Sequence, residues 1–274
     1  MNKTAVITGA GGVLCSVFAK ALAKNGYAVA LIDLNAESVG NLAREINNSG
    51  GKAKGYGASV LDKAQLEAVH EQILADFGKC TILLNGAGGN NPKGTTAHEK
   101  FEDGDDTRND IATFFNLDEA GFRFVFDLNL LGTLIPTQVF ARDMIDAEGC
   151  SVINISSMNA FRPLTKIPAY SAAKSAVTNF TQWLAIHFAG QNIRVNAIAP
   201  GFFVTKQNKD LLFNPDGTPT ARTGKILAAT PMGRFGKPEE LVGTLLWLCD
   251  SEASGFVTGV TIPVDGGFSA YSGV

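Results

Sequence analysis

Seven short runs rich in β-branched and apolar residues recur along this chain, and most are apolar nearly throughout rather than alternating. They are Lys3–Thr8, Tyr27–Asp33, Lys52–Ser59, Cys80–Ala87, Cys150–Ser156, Ile193–Ala199 and Thr261–Val264. A strand that does not alternate has no face to give to water, so it belongs in a parallel sheet covered on both sides. Helix-period segments lie between them: Ala36–Asn48, Asp62–Phe77, Phe122–Ile145, Ser171–Phe188 and Pro238–Cys249. This alternation predicts an α/β fold, a doubly wound parallel sheet of seven strands with helices on both faces and right-handed crossovers. No repeat or linker divides the 274 residues, so one domain over 1–274 is expected.

Two stretches break the rhythm, residues 88–121 and 202–236. Both are turn-rich and both follow strands, which places them at the carboxyl edge of the sheet, where open α/β folds bind ligands. The acidic part of the first, residues 102–110, reads as a solvated face. A net charge of −3 gives no footprint for nucleic acid. No apolar run approaches the roughly 18 residues that would cross a bilayer, and the first residues lead straight into a strand without a signal-peptide pattern. Cys15, Cys80, Cys150 and Cys249 lie far apart, as small core residues would. A cytoplasmic location is expected. His70, His98 and His187 lack metal-ligand spacing, so chemistry without a metal is expected as well.

The first strand ends in Thr8-Gly9-Ala10-Gly11-Gly12-Val13-Leu14-Cys15, and a helix follows at once. Glycines there let the backbone turn and approach a pyrophosphate, which a helix N-terminus favours. A purely structural turn has the same composition, so position must decide. Asp33 closes the second strand, where a carboxylate accepts from the ribose hydroxyls of a dinucleotide and repels a 2′-phosphate. NAD(H) is therefore expected over NADP(H), on a Rossmann-type sheet.

Tyr170 and Lys174 are four residues apart, hence on one helix face. A nearby ammonium favours phenolate and lowers a phenol's pKa from about 10 toward working pH. Ser157 lies 13 residues upstream, just past an apolar strand. Its hydroxyl is placed to bond a reacting carbonyl oxygen beside Tyr170. Together these residues describe hydride transfer to or from a carbonyl, with Tyr170 as the acid/base.

Over its full length the chain resembles the short-chain dehydrogenase/reductase family. The resemblance is carried by the glycine loop, Asn85-Gly86-Ala87-Gly88, Asn129, Ser157, Tyr170-Ser171-Ala172-Ala173-Lys174, Pro200-Gly201 and Val264-Asp265-Gly266-Gly267. It implies catalysis by Asn129, Ser157, Tyr170 and Lys174, with Asn129 holding a water that relays protons from Lys174. It implies cofactor contacts at Gly9, Gly11, Gly12, Leu14, Asp33, Ser59, Val60, Asn85, Gly86, Ala87, Tyr170, Lys174, Pro200, Gly201, Phe203 and Thr205. It also implies a homotetramer built through the helices of Phe122 and Tyr170. Val13 and Cys15 stand where the family's later loop glycines fall, Ser59 where it has an aspartate, and Gly86 where it has a second asparagine; the last looks harmless.

Residues 86–92, 156–161, 200–205 and 266–274 resemble the D-mannonate oxidoreductase (fructuronate reductase) branch, which implies interconversion of D-fructuronate and D-mannonate, a step in hexuronate breakdown. A sugar acid needs a cation and several polar groups. Asn90, Asn91, Ser157, Asn159, Arg162, Lys166 and Lys206 are the candidates. The alternatives are a sister sugar-acid or 3-oxoacyl reductase, or a dinucleotide-binding sensor without catalysis.

Overall fold

The computed structural model describes residues 3–204 and 212–273. All seven expected strands are present: β1 (Thr4–Thr8), β2 (Ala28–Asp33), β3 (Lys52–Gly57), β4 (Ile82–Asn85), β5 (Ser151–Ile155), β6 (Arg194–Pro200) and β7 (Thr261–Val264). They form one sheet in the order β3-β2-β1-β4-β5-β6-β7, parallel at every pairing. Every residue of β1, β4 and β6 is buried. Successive side chains feed opposite faces: Ala5, Ile7, Val29 and Leu31 join one core cluster, and Val6, Ala30 and Ile32 join the other. The chain reverses its direction of travel across the sheet between β1 and β4. That switch point leaves a crevice at the carboxyl ends of the two strands.

Helices α1 (Val13–Lys24), α2 (Ala36–Asn48) and α3 (Lys63–Phe77) follow the first three strands. Asn35 accepts from Ser38 N and Asp62 from Gln65 N, so α2 and α3 are capped by side chains. The N-cap of α1 is Gly12, with no side-chain cap. Its first-turn N–H groups are left for another acceptor.

The run expected as one helix from Phe122 to Ile145 is interrupted. Helix α4 (Glu119–Phe126) passes into a π turn (Asp127–Leu131) and then into α5 (Gly132–Phe140). Taken together, Glu119–Met144 is long and apolar enough to cross a membrane, contrary to the sequence estimate, but half of its most apolar window is buried inside the protein. It packs as a core helix does. Helix α6 (Pro168–Phe188) begins on a proline, whose missing N–H costs nothing at that position. The second long loop also departs from expectation, since it contains α7 (Ala221–Ala228). Helix α8 (Val242–Cys249) then leads to β7. All four cysteines are free and buried.

The first long loop is ordered around a buried carboxylate. Asp105 is 4% exposed; it accepts from Glu102 N at 3.0 Å and lies 3.0 Å from His98 Nδ1. The acidic run is therefore not simply a solvated face, because one of its acids is the loop's internal anchor. A polar ladder crosses the core nearby. Asn85 Nδ2 donates to Asn154 Oδ1 and Thr137 Oγ1, and Asn154 Nδ2 donates to Thr181 Oγ1, each at 2.9 Å.

Candidate active site

The glycine loop turns back on itself at Gly9, whose φ is +63°. A β-carbon there would sit 2.8 Å from Ala87 Cα, so the loop and the turn after β4 are in backbone contact. Gly11 N–H donates to Asp33 Oδ2 at 3.0 Å, and Asn35 N–H to Asp33 Oδ1 at 3.0 Å. The carboxylate is thus aimed at the glycine loop by two backbone donors. A β-carbon on Gly11 would crowd Ser38 Oγ and the same carboxylate. This bare cradle, beside the uncapped end of α1, fits a dinucleotide pyrophosphate, with Asp33 beside it for the ribose.

The family departures noted above turn out to be linked. A β-carbon on Gly86 would overlap Cys15 Sγ and come within 2.9 Å of Thr8 O. Cys15, in place of a glycine, fills the volume that a side chain at position 86 would need. Gly86 is therefore not a harmless replacement but the partner of Cys15. Gly86→Ala is expected to destabilise the fold by about 1–3 kcal/mol through overpacking and to weaken NADH binding. Adding Cys15→Ala should recover part of both losses. A double-mutant cycle with coupling below about 0.5 kcal/mol would show that the two positions are independent.

Ser157 follows β5 and is 7% exposed. Its Oγ accepts from Asn159 N at 3.2 Å, and its side chain stands close enough to the Tyr170 hydroxyl to favour the phenolate. Ser156 is committed elsewhere, 2.7 Å from Thr178 Oγ1 and bonded to Lys174 O. Lys174 Nζ donates to Ile155 O at 2.8 Å and lies 5.7 Å from the centroid of the Tyr170 ring. Burial drives the Lys174 ammonium down to about 8. Burial also pushes the Tyr170 phenol up. The expected lowering of Tyr170 by its neighbouring lysine is not seen: desolvation dominates, and the opposing pull comes from Ser157.

Asn129 sits in the π turn, wholly buried. Its Nδ2 donates to Gly89 O and Val125 O, both at 2.7 Å, and its Oδ1 accepts from Gly89 N at 3.2 Å. The amide therefore clamps the start of the first long loop. A β-carbon on Gly88 would meet Asn129 Oδ1 at 2.7 Å and Lys174 Nζ at 3.0 Å. Only a glycine lets the chain pass so close over both.

The remaining expected residues divide. Ser59 Oγ accepts from Leu61 N, and Val60 is buried near Gly132 at the base of α5. The Asn85 amide nitrogen is spent in the core ladder, and the N–H groups of Gly86 and Ala87 donate to Thr8 Oγ1. Phe203, 6% exposed, belongs to the core cluster and also lines a cavity with Phe202, Thr230 and Val264. Leu14 packs against the same cluster. Gly201 N donates to Val264 O, joining the Pro200 turn to the end of β7. Asn91 caps the turn at Lys93 and Asn90 bonds Thr95, so both amides serve their own loop. Asn159 is 2% exposed and its Oδ1 has no partner. Arg162 is exposed and Lys166 half-buried. Thr205 and Lys206 lie outside the described residues. Sequence reasoning gave no role to Gly88, which it quoted only as part of a motif, or to Gly89, whose signal was its place after the fourth strand.

The family of short chain dehydrogenases matches residues 3–214 of this chain. An uncharacterized oxidoreductase of Haemophilus influenzae is 60% identical, covering 100% of this chain and 95% of that one. A crystal structure from Haemophilus influenzae, provisionally named a D-mannonate oxidoreductase and holding NAD, superposes with a TM-score of 0.96 at 60% identity, covering 100% and 97% of the two chains. A gluconate 5-dehydrogenase of Burkholderia cenocepacia in complex with NADP and tartrate gives a TM-score of 0.82 at 29% identity, covering 99% and 97%. The fold, the ordered motifs and these matches agree: the chain is an oxidoreductase and belongs to the short-chain dehydrogenase family.

Proposed function

We propose that this enzyme interconverts D-fructuronate and D-mannonate with NAD(H), using Tyr170 as the acid/base. The reading is supported above all by the whole-length 60% identity to a relative holding NAD and provisionally named for D-mannonate, in a chain whose Ser157, Tyr170 and Lys174 converge. A bound dinucleotide supplies or accepts the hydride. Ser157 then orients the carbonyl oxygen, and Tyr170 gives that oxygen its proton in reduction or takes it in oxidation. Lys174 holds ribose hydroxyls and presents a positive charge beneath the Tyr170 ring. Asn129 fixes the loop over Lys174 and stands beside it on the path by which water returns the proton.

In this reading Asp33 selects NAD(H), since a carboxylate at the end of β2 beside the glycine loop would repel an adenosine 2′-phosphate. Asp33→Ala is expected to reduce the preference for NADH over NADPH by about tenfold or more, on the scale of a lost charge-assisted bond. An unchanged ratio of kcat/KM for the two cofactors would remove that contact. The orphan Oδ1 of Asn159 is offered to a sugar hydroxyl, and Arg162, Lys166 or Lys206 to the carboxylate. We read the chain as one domain acting as a homotetramer through α4 and α6, whose Phe124, Trp183 and Ile186 are exposed. The four free thiols suit a reducing cytoplasm.

A gluconate-type activity is the second reading, favoured by the tartrate-bound relative. NADH oxidation with fructuronate, tagaturonate, 5-ketogluconate and an acetoacetyl thioester separates the cases. Fastest turnover with fructuronate supports the proposal, and fastest turnover with any of the others replaces it.

A further inference from the structure

We infer that Phe268, in the C-terminal tail, is a positioning residue that props the turn at 200–203 against the nicotinamide end of the bound dinucleotide. This rests on the reading that the nicotinamide lies beside Ser157 and Tyr170. Strand register places the turn there. Ile155 of β5 pairs with Ile198 of β6, and the ladder continues as Ser156 N–H donates to Ile198 O at 2.8 Å. Ser157 is still extended, with φ −161° and ψ 155°. It stands two residues past Ile155, as Pro200 stands two past Ile198. The two are therefore level on neighbouring parallel strands, about 5 Å apart. Whatever holds the turn fixes one wall of the space next to Ser157.

The tail is folded so as to reach that turn. Asp265 follows β7; its Oδ1 accepts from Gly267 N at 2.9 Å and its Oδ2 from Ser269 N at 2.8 Å. Gly266 and Gly267 have φ of +65° and +89°, so the chain reverses at once after the strand. Met232 N–H donates to Gly266 O at 3.1 Å, which ties the reversal to the segment between α7 and α8. The reversal carries the Phe268 ring edge-to-face against Phe202, with centroids 5.3 Å apart and planes at 74°. Both rings are half-buried. A β-carbon on Gly201 would lie 2.6 Å from Asp265 Cα, so the backbone of the turn rests on the residue that folds the tail. On another side Phe202 borders a cavity of about 420 Å³. That space gives its ring somewhere to fall once Phe268 is gone.

Phe268→Ala, Phe268→Leu and Phe268→Tyr test this in titrations with NADH and with ADP-ribose, which lacks the nicotinamide. Ala should weaken NADH about fivefold, the scale of one lost aromatic pair, and leave ADP-ribose within about twofold of wild type. Leu should show a smaller loss with the same selectivity, and it carries the comparison if Ala does not fold. Tyr keeps the ring and can turn its hydroxyl to solvent, so it should bind both ligands as wild type does. A merely structural role moves NADH and ADP-ribose together. Equal losses on the two, no loss on either, or a Tyr variant as impaired as Ala would therefore overturn the inference. The reading beneath it fails separately, through a Tyr170→Phe variant that keeps its rate.

Discussion

Replacement of Tyr170 by Phe is expected to lower turnover by about a thousandfold while NADH still binds. The ring, the helix and the packing stay the same, and only the phenolic oxygen leaves. General acid/base catalysis contributes about 10²–10⁴-fold in well-placed cases, and a proton transfer with no substitute donor nearby falls in the middle of that range. Ser157 is no substitute, because an aliphatic hydroxyl bonded to Asn159 N is far too weak an acid. NADH titration by fluorescence, beside stopped-flow rates, separates the two effects. A variant retaining more than about a tenth of the rate would mean that the proton comes from elsewhere.

Lys174→Met should have two opposed effects. Turnover falls by about 10²–10³-fold, since the charge beneath Tyr170 and the ribose contact both disappear. Stability at pH 7 should rise. The Lys174 ammonium is held at about 8 against an ordinary 10.5 because it is buried. Below pH 8 both the native and the unfolded chain carry this proton, so the native state bears the full burial penalty, roughly 3 kcal/mol from that gap. Between about 8 and 10.5 the native chain gives up its proton first, and stability rises with pH. Methionine has no charge to desolvate, although it leaves Ile155 O without its donor, at about 1 kcal/mol. A net gain of about 1–2 kcal/mol corresponds to a Tm increase of a few degrees at pH 7, shrinking toward pH 10. A lower Tm at pH 7, or a difference that does not change with pH, would contradict this account.

Much of the fold was legible because buried parallel strands leave an unmistakable record. Val152-Ile153-Asn154-Ile155 has no polar alternation, and every residue of β6 is inside. The proximity of Tyr170 and Lys174 was legible because a short spacing on one helix forces them together. What escaped was set by contacts between distant segments. Cys15 and Gly86 read as two unrelated oddities until their shared volume was visible. The break at Asn129 lies in a run of apolar residues with a smooth helical period, and only its bonds to Gly89 explain a π turn there. Helix α7 is only eight residues long and carries Gly224, so its pattern was weak. The burial of Tyr170 and Lys174, which reverses the expected direction for the phenol, is a property of the assembled pocket and of no local pattern.

The amide ladder inside the sheet has a consequence for how such an enzyme changes over time. Asn85 and Asn154 face each other across β4 and β5 in register, and slipping either strand by one residue would strand two amides in a dry interior. The ends of those strands, which carry the Gly86 turn and Ser157, are consequently fixed in relation to each other like jaws on a common pin. New substrate preferences in relatives of this chain should therefore arise by rebuilding the two long loops, and seldom by shifting the strands beneath them.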